Sequence, residues 1–210
     1  SLLPFFSFGL DVNDNSTVTA YFSKINTTDG SIMNDFQVIT NEPTNYSPRG
    51  PVFDIQSNSI YTYSGTRIFR HNVDNFSDNS AMSGSVDFLY PYDQIIAIKN
   101  RLFAMRSYNT SGFNYEITLF EIDKNDGSII DTQTWTVVIT TNGWGSSFSP
   151  LTNEIYIVLG NNLSKYNIIT QELNVYNLPG ADFGTFYPGV ICAEGRLFVR
   201  KKDFANGQSN

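Results

Sequence analysis

Apolar residues fall along this chain in short β-branched and aromatic runs cut by polar turns, and one stretch shows the pattern complete. In Asn153–Pro179 (NEIYIVLGNNLSKYNIITQELNVYNLP), the run Ile155–Leu159 is closed by Gly160-Asn161-Asn162, a second run spans Leu163–Asn167, and a third, Leu173–Leu178, stops at Pro179-Gly180. Runs of this composition bounded by Gly, Pro and Asn predict three short antiparallel strands. No window long enough for a helix carries apolar residues at i, i+3, i+4 and i+7, so substantial helix is excluded.

Two anchors repeat the pattern from end to end. An aliphatic-aromatic pair opens a strand after a polar turn at Ile60-Tyr61, Leu102-Phe103, Ile155-Tyr156 and Leu197-Phe198, at intervals of 42, 53 and 42 residues. An Asn or Asp ends the next strand at Asn26, Asn72, Asp123 and Asn167, at intervals of 46, 51 and 44. Two independent anchors on one period of about 47 residues, with several strands in each, predict a propeller or a similar array. The expected fold class is all-β: a β-propeller of four-stranded antiparallel blades, about four to four and a half of them in this chain.

At the start, Ser1–Leu10 has neither the basic region nor the small-residue cleavage site of a signal peptide. Phe5-Phe6 instead stands 21 residues before Asn26, as Leu102-Phe103 stands 21 before Asp123. Phe5–Leu10 is thus expected to be a second blade strand and Asp11–Asn15 its hairpin loop. Val18–Ile25 and Ile32–Ile39 follow as third and fourth strands around the Asp29-Gly30 turn. The next blade takes Val52–Ile55, Ser59–Tyr63 and Thr66–Arg70, with a fourth strand poor in β-formers until Val86. The third takes Gln94–Ile98, Arg101–Ser107, a long loop to Phe113, Tyr115–Ile122 and Ile129–Val138. Trp144–Phe148 precedes the stretch above, and Val190–Ala193 with Arg196–Arg200 follow it.

The expectation is one propeller domain in approximate units 1–40, 41–88, 89–140, 141–182 and a partial 183–210. Its 17 strands overlap by one the sixteen of a closed four-bladed ring, which favours an open ring or part of a larger propeller. An open ring exposes strand edges that natural chains cover with a partner.

Composition agrees with this picture. Hydrophobic residues at 40% supply surface to bury, and 16% charged is not the profile of a disordered tail. The net charge of -7 disfavours a polyanion, so nucleic acid is not an expected partner. No apolar stretch is long enough to span a bilayer as a helix. The Asn-, Ser-, Thr- and Tyr-rich, Lys-poor surface points to an extracellular, cell-surface or periplasmic location. Sequons at Asn15, Asn26, Asn45, Asn75, Asn109 and Asn162 are glycosylation candidates, close in number to what this composition gives by chance.

The strings FSKINTTDGSIM (22–33) and LFEIDKNDGSII (119–130) resemble the outer hairpin of quinoprotein-like and related sequence-diverse propeller blades. In those hairpins a strand ends in Asp or Asn, a Thr/Asp-Gly turn follows, and a strand leads outward. The resemblance runs the length of the chain at low identity and implies architecture rather than activity. Quinone-bearing members dock the cofactor on a tryptophan in a central site with a metal. This chain has only Trp135 and Trp144 and no comparable acidic set, so no cofactor is implied. The Asp-box S-x-D-x-G-x-T-W and the kelch and Trp-Asp signatures are absent.

Candidate chemistry is sparse. A Ser-His-Asp arrangement would have to use the single His71, which reads more simply as an exposed residue beside a turn. The single Cys192, in VICA, reads as a buried small hydrophobe, permits no internal disulfide, and with His71 gives no zinc spacing. Acidic loops at Asp11–Asn15, Asp123–Gly127 and Asp74–Asn79 could chelate calcium, although Asp and Asn also populate such turns for their own backbone bonds. No other metal is expected.

An aromatic stands in the loop before each innermost strand: Tyr46, Tyr90 with Tyr92, Trp144, and Phe186 with Tyr187. These crossovers are expected on one face, where they would form a ligand-binding platform for a glycan or peptide; the alternative is packing between blades. The favoured function is a non-enzymatic binding or scaffolding propeller recognising a protein or glycan. The alternative is a carbohydrate-active hydrolase or lyase using Asp54, Asp93 and Glu194 beside innermost strands.

Overall fold

The computed structural model describes residues 5–13, 17–26, 28–40, 49–64, 67–74, 79–82, 94–139, 144–178, 190–193, 195–199, 202–203 and 208–209, and every regular element among them is a strand. The chain divides into two compact units, Ser1–Ile95 with Ile122–Ile129, and Ile96–Glu121 with Ile130–Asn210.

The first unit opens with a three-stranded sheet of β1 (Phe5–Asn13), β2 (Thr17–Ile25) and β3 (Ile32–Thr40). A four-stranded sheet follows: β4 (Arg49–Asp54), β5 (Ser59–Ser64), β6 (Arg67–Asn72) and the short β7 (Asn79–Ala81). The next sheet orders β8 (Gln94–Ile98), β9 (Arg101–Ser111), β10 (Asn114–Ile122) and β11 (Ile129–Val138). The second unit also holds a sheet of β12 (Trp144–Ser149), β13 (Glu154–Leu159), β14 (Asn162–Asn167) and β15 (Leu173–Asn177). The pairs β16 (Val190–Ala193) with β17 (Arg196–Val199) and β18 (Lys202–Asp203) with β19 (Gln208–Ser209) complete the described elements. Within every sheet, spatial order is chain order, and three of the six sheets are the antiparallel four-stranded units that the repeat predicts.

Both anchors have a physical basis. Oδ1 of Asn26, Asn72, Asp123 and Asn167 accepts the main-chain N–H two residues on, from Thr28, Asp74, Asn125 and Ile169, at 2.8 to 2.9 Å. This is the self-bonding that makes Asn and Asp turn formers. One residue before each second strand the backbone is left-handed, at Asn58 (φ 47°), Asn100 (63°), Asn153 (60°) and Gly195 (72°). Asn and Gly are the residues that tolerate this conformation, and they recur where the aliphatic-aromatic pair is about to begin.

In the first unit Ile60, Tyr61, Tyr63, Ile68 and Phe69 of β5 and β6 are buried. The second unit has one apolar cluster of Ile96, Ile98, Phe103, Met105, Ile117, Leu119, Trp135, Val137 and Ile139 with Ile155, Ile157, Leu159, Tyr166 and Ile168. Every second residue of β13 enters it, as strand geometry requires. At the rim, Arg101 binds Glu121 through Nε (2.6 Å) and Nη2, and its Nη1 donates to Ile168 O.

Several expectations need correction. β1 runs on to Asn13, into the expected loop Asp11–Asn15. The long loop expected from Ser107 to Phe113 is strand as far as Ser111, because exposed strand ends need no apolar alternation. His71 is not an exposed turn neighbour but 1% exposed: β6 continues to Asn72, pairs His71 with Ile60, and puts its Nε2 2.9 Å from Thr62 Oγ1. Cys192 is half-buried rather than buried. A short hairpin, β18–β19, forms in the polar tail where the sequence offered no strand signal.

Candidate functional site

One end of the β8–β11 sheet carries exposed apolar side chains. The β9–β10 hairpin turns at Gly112 (φ 58°) and Phe113, braced by Asn109 Nδ2 donating to Gly112 O (3.0 Å) and Thr110 Oγ1 to Asn114 O (3.2 Å). The Ile139 N–H, just past β11, donates to Phe113 O at 2.9 Å. The next sheet repeats the device, with the Leu178 N–H donating to Asn161 O at 2.8 Å. Asn162 Nδ2 ties the two together by donating to Val138 O at 2.6 Å. Phe113 is 68% exposed there, and Tyr108 of β9 and Val138 of β11 are exposed on the same sheet.

Trp144 starts β12 with its backbone opposite Leu159, directly before the Gly160-Asn161 tip. Of the expected aromatic platform, then, the one described position enters at this loop end. Tyr46, Tyr90, Tyr92, Phe186 and Tyr187 lie outside the described residues. Sequence reasoning missed Phe113, Tyr108 and Val138. A lone aromatic after Gly112 in the polar run SGFN was the available signal for Phe113.

The carboxylates separate by role. Asp54 closes β4 and is buried, paired with Lys124 of the β10–β11 turn and accepting from Ser57 Oγ at 2.6 Å. Burial pushes its carboxyl up, but the Lys124 ammonium, the Ser57 hydroxyl and the Gln56 N–H outweigh it and hold the group below the ordinary value. Asp93 and Glu194 lie outside the described residues.

The acidic turns are occupied by their own chain. Asp123 Oδ1 accepts the Asn125 N–H and Asp126 Oδ1 the Ser128 N–H, both at 2.8 Å, and Asp74 Oδ2 accepts from Asn58 Nδ2 at 2.7 Å. Among the described residues no group of three or more His, Cys, Asp or Glu is arranged to hold a metal ion.

Of the sequons, Asn15, Asn45 and Asn75 lie outside the described residues, and Asn26 is half-buried in its turn. Asn109 is exposed, and its Nδ2 keeps one N–H for Gly112 O after glycan attachment. Asn162 is buried with Nδ2 against Val138 O, leaving a glycan no room. Expression in a glycosylating host is expected to modify Asn109 and spare Asn162. Intact mass would check this: Asn109→Gln should remove one glycan and Asn162→Gln none.

No protein-family model matches the chain, and no curated protein matches it. Solved structures do. The WD40 domain of Toxoplasma gondii coronin superposes with a TM-score of 0.53 at 9% identity, covering 96% of this chain and 54% of that one. The AfRom2 CNH domain gives 0.50 at 10% identity, covering 95% and 61%. A protein of Desulfotomaculum acetoxidans described as functionally unknown gives 0.50 at 16%, covering 98% and 68%. At these identities the likeness is one of fold. The chain is a partial β-propeller, and it spans little more than half the length of the first two structures.

Proposed function

We propose that this chain belongs to a binding or scaffolding propeller that meets a protein or glycan through the loop end carrying Phe113 and Trp144. The observation that carries the reading is the exposure of Phe113 at the β9–β10 hairpin tip, on the sheet that also exposes Tyr108 and Val138. Apolar side chains clustered in the open mark interaction sites, and aromatic rings offer flat area to sugars and side chains alike. The propeller neighbours are compatible with such a role. A hydrolase gains less support, since the described candidate Asp54 is held ionised by Lys124 and so is ill suited to give up a proton as a general acid. We extend the proposal to an extracellular, cell-surface or periplasmic location, from the Asn- and Ser-rich surface, and to quinoprotein-like kinship, from the outer hairpin strings.

The test is a screen of the chain against immobilised glycans, repeated with Phe113→Ser and Trp144→Ala. Retention lost while Tm stays put supports the loop end as the site. Retention untouched by both changes sinks it. If no glycan is retained, the protein arm is tested by photo-crosslinking from position 113, where absence of any adduct in the native extract counts against the proposal.

A further inference from the structure

The β16–β17 sheet has one covered side and one bare side. Its register pairs Ile191 with Phe198 and Cys192 with Leu197. The Cys192 side is half-buried, and the Cys192 N–H donates to Ser147 Oγ of β12 at 2.9 Å, so this sheet packs beside the β12–β15 sheet. Alternation puts Ile191 and Phe198 on the opposite side, where they are 62% and 54% exposed.

The same pair occurs earlier in the chain, and there it is covered. Ile96 and Phe103 stand seven residues apart around the Lys99-Asn100 turn, as Ile191 and Phe198 stand seven apart around 194–195. Phe103 and Phe198 are each the aromatic of the repeating aliphatic-aromatic pair. Yet Ile96 and Phe103 are 1% and 2% exposed, inside the cluster that contains Ile155, Ile157 and Leu159 of β13 and Tyr166 of β14. A following four-stranded sheet supplies their cover through an aliphatic stripe on its second strand.

We propose that the Ile191–Phe198 face is a sheet-docking surface, and that its occupant is a further four-stranded antiparallel blade carried by the full-length polypeptide, additional to the six sheets described. That blade would present an aliphatic stripe like Ile155-Ile157-Leu159. The argument is continuity with the existing interface: one register position is sealed by a following sheet at β8–β9 and bare at β16–β17. Propeller domains that match this chain over 95% or more of its length are themselves longer, the chain covering 54% and 61% of them, which leaves room for such a blade.

The experiment compares Phe198→Ala with Phe103→Ala by urea unfolding, in the 210-residue chain and in the protein expressed from its complete gene. In the complete protein the two changes are expected to lower the midpoint by similar amounts; in the 210-residue chain only Phe103→Ala should lower it. Amide exchange of β17 in the unsubstituted complete protein, expected to be as slow as that of β9, gives a reading that needs no variant. Equal midpoint losses in the 210-residue chain would mean that residues within it cover the face, overturning the proposal. A dimer by light scattering that Phe198→Asp splits would assign the face to a second copy and overturn it too, as would fast β17 exchange in the complete protein.

Discussion

Replacing Trp135 by alanine is expected to cost about 4 kcal/mol, within the range for removing a buried indole. Trp135 stands on the outermost strand of its sheet, and its ring belongs to the same buried cluster as Ile155, Ile157 and Tyr166 of the next. Its Nε1 donates to Ser164 Oγ at 3.0 Å, so truncation also strands a buried hydroxyl. Trp135→Phe keeps most of the ring and loses that bond, and should cost about 1–2 kcal/mol for the unpaired partner. Urea midpoints of the two variants check the order. Equal costs would mean that the hydrogen bond rather than the packing dominates.

Lys124→Met is expected to cost about 3 kcal/mol at neutral pH, because it leaves the buried Asp54 carboxylate without its cation. The pair also sets an acid limit. Asp54 is held below the ordinary 3.8, so the folded protein binds its proton more weakly than the unfolded chain does. The stabilisation is full above the ordinary value and is lost as pH falls through the lowered one. In Lys124→Met, Asp54 stays buried and keeps its Ser57 and Gln56 bonds but loses the cation. The group therefore rises relative to its place in the unsubstituted protein, and the penalty should shrink on acidification as the neutral acid forms. Melting curves from about pH 6 to about pH 3 should converge for the two proteins. A gap independent of pH would show that the cost of Lys124→Met is packing by the lysine stem.

Much of the architecture was legible because its determinants are local. A turn whose Asn or Asp bonds its own backbone needs nothing distant, so Asn26, Asn72, Asp123 and Asn167 could be found from letters alone. The left-handed positions before β5, β9 and β13 were visible as the polar turn closing on Asn58, Asn100 and Asn153. What depended on neighbours was lost. His71 looked like a turn residue because nothing in FRHN reveals that β6 carries its imidazole inside against Thr62. Asp54 looked available as a catalytic carboxylate because its partner Lys124 stands 70 residues away. The exposed side chains at the loop end were hidden for the same reason: the end of β11 comes beside Phe113 through the pairing of β10 with β11, which the Ile139 N–H to Phe113 O bond extends.

The agreement between spatial order and chain order in every sheet bears on kinetics. Strands that pair only with their sequence neighbours close short loops, and short loops cost little entropy before contacts repay it. Individual sheets should therefore assemble early, leaving the docking of one apolar face on another as the slow event. A substitution at such a face, Trp135 among them, would then retard folding, whereas one confined to a turn would chiefly hasten unfolding.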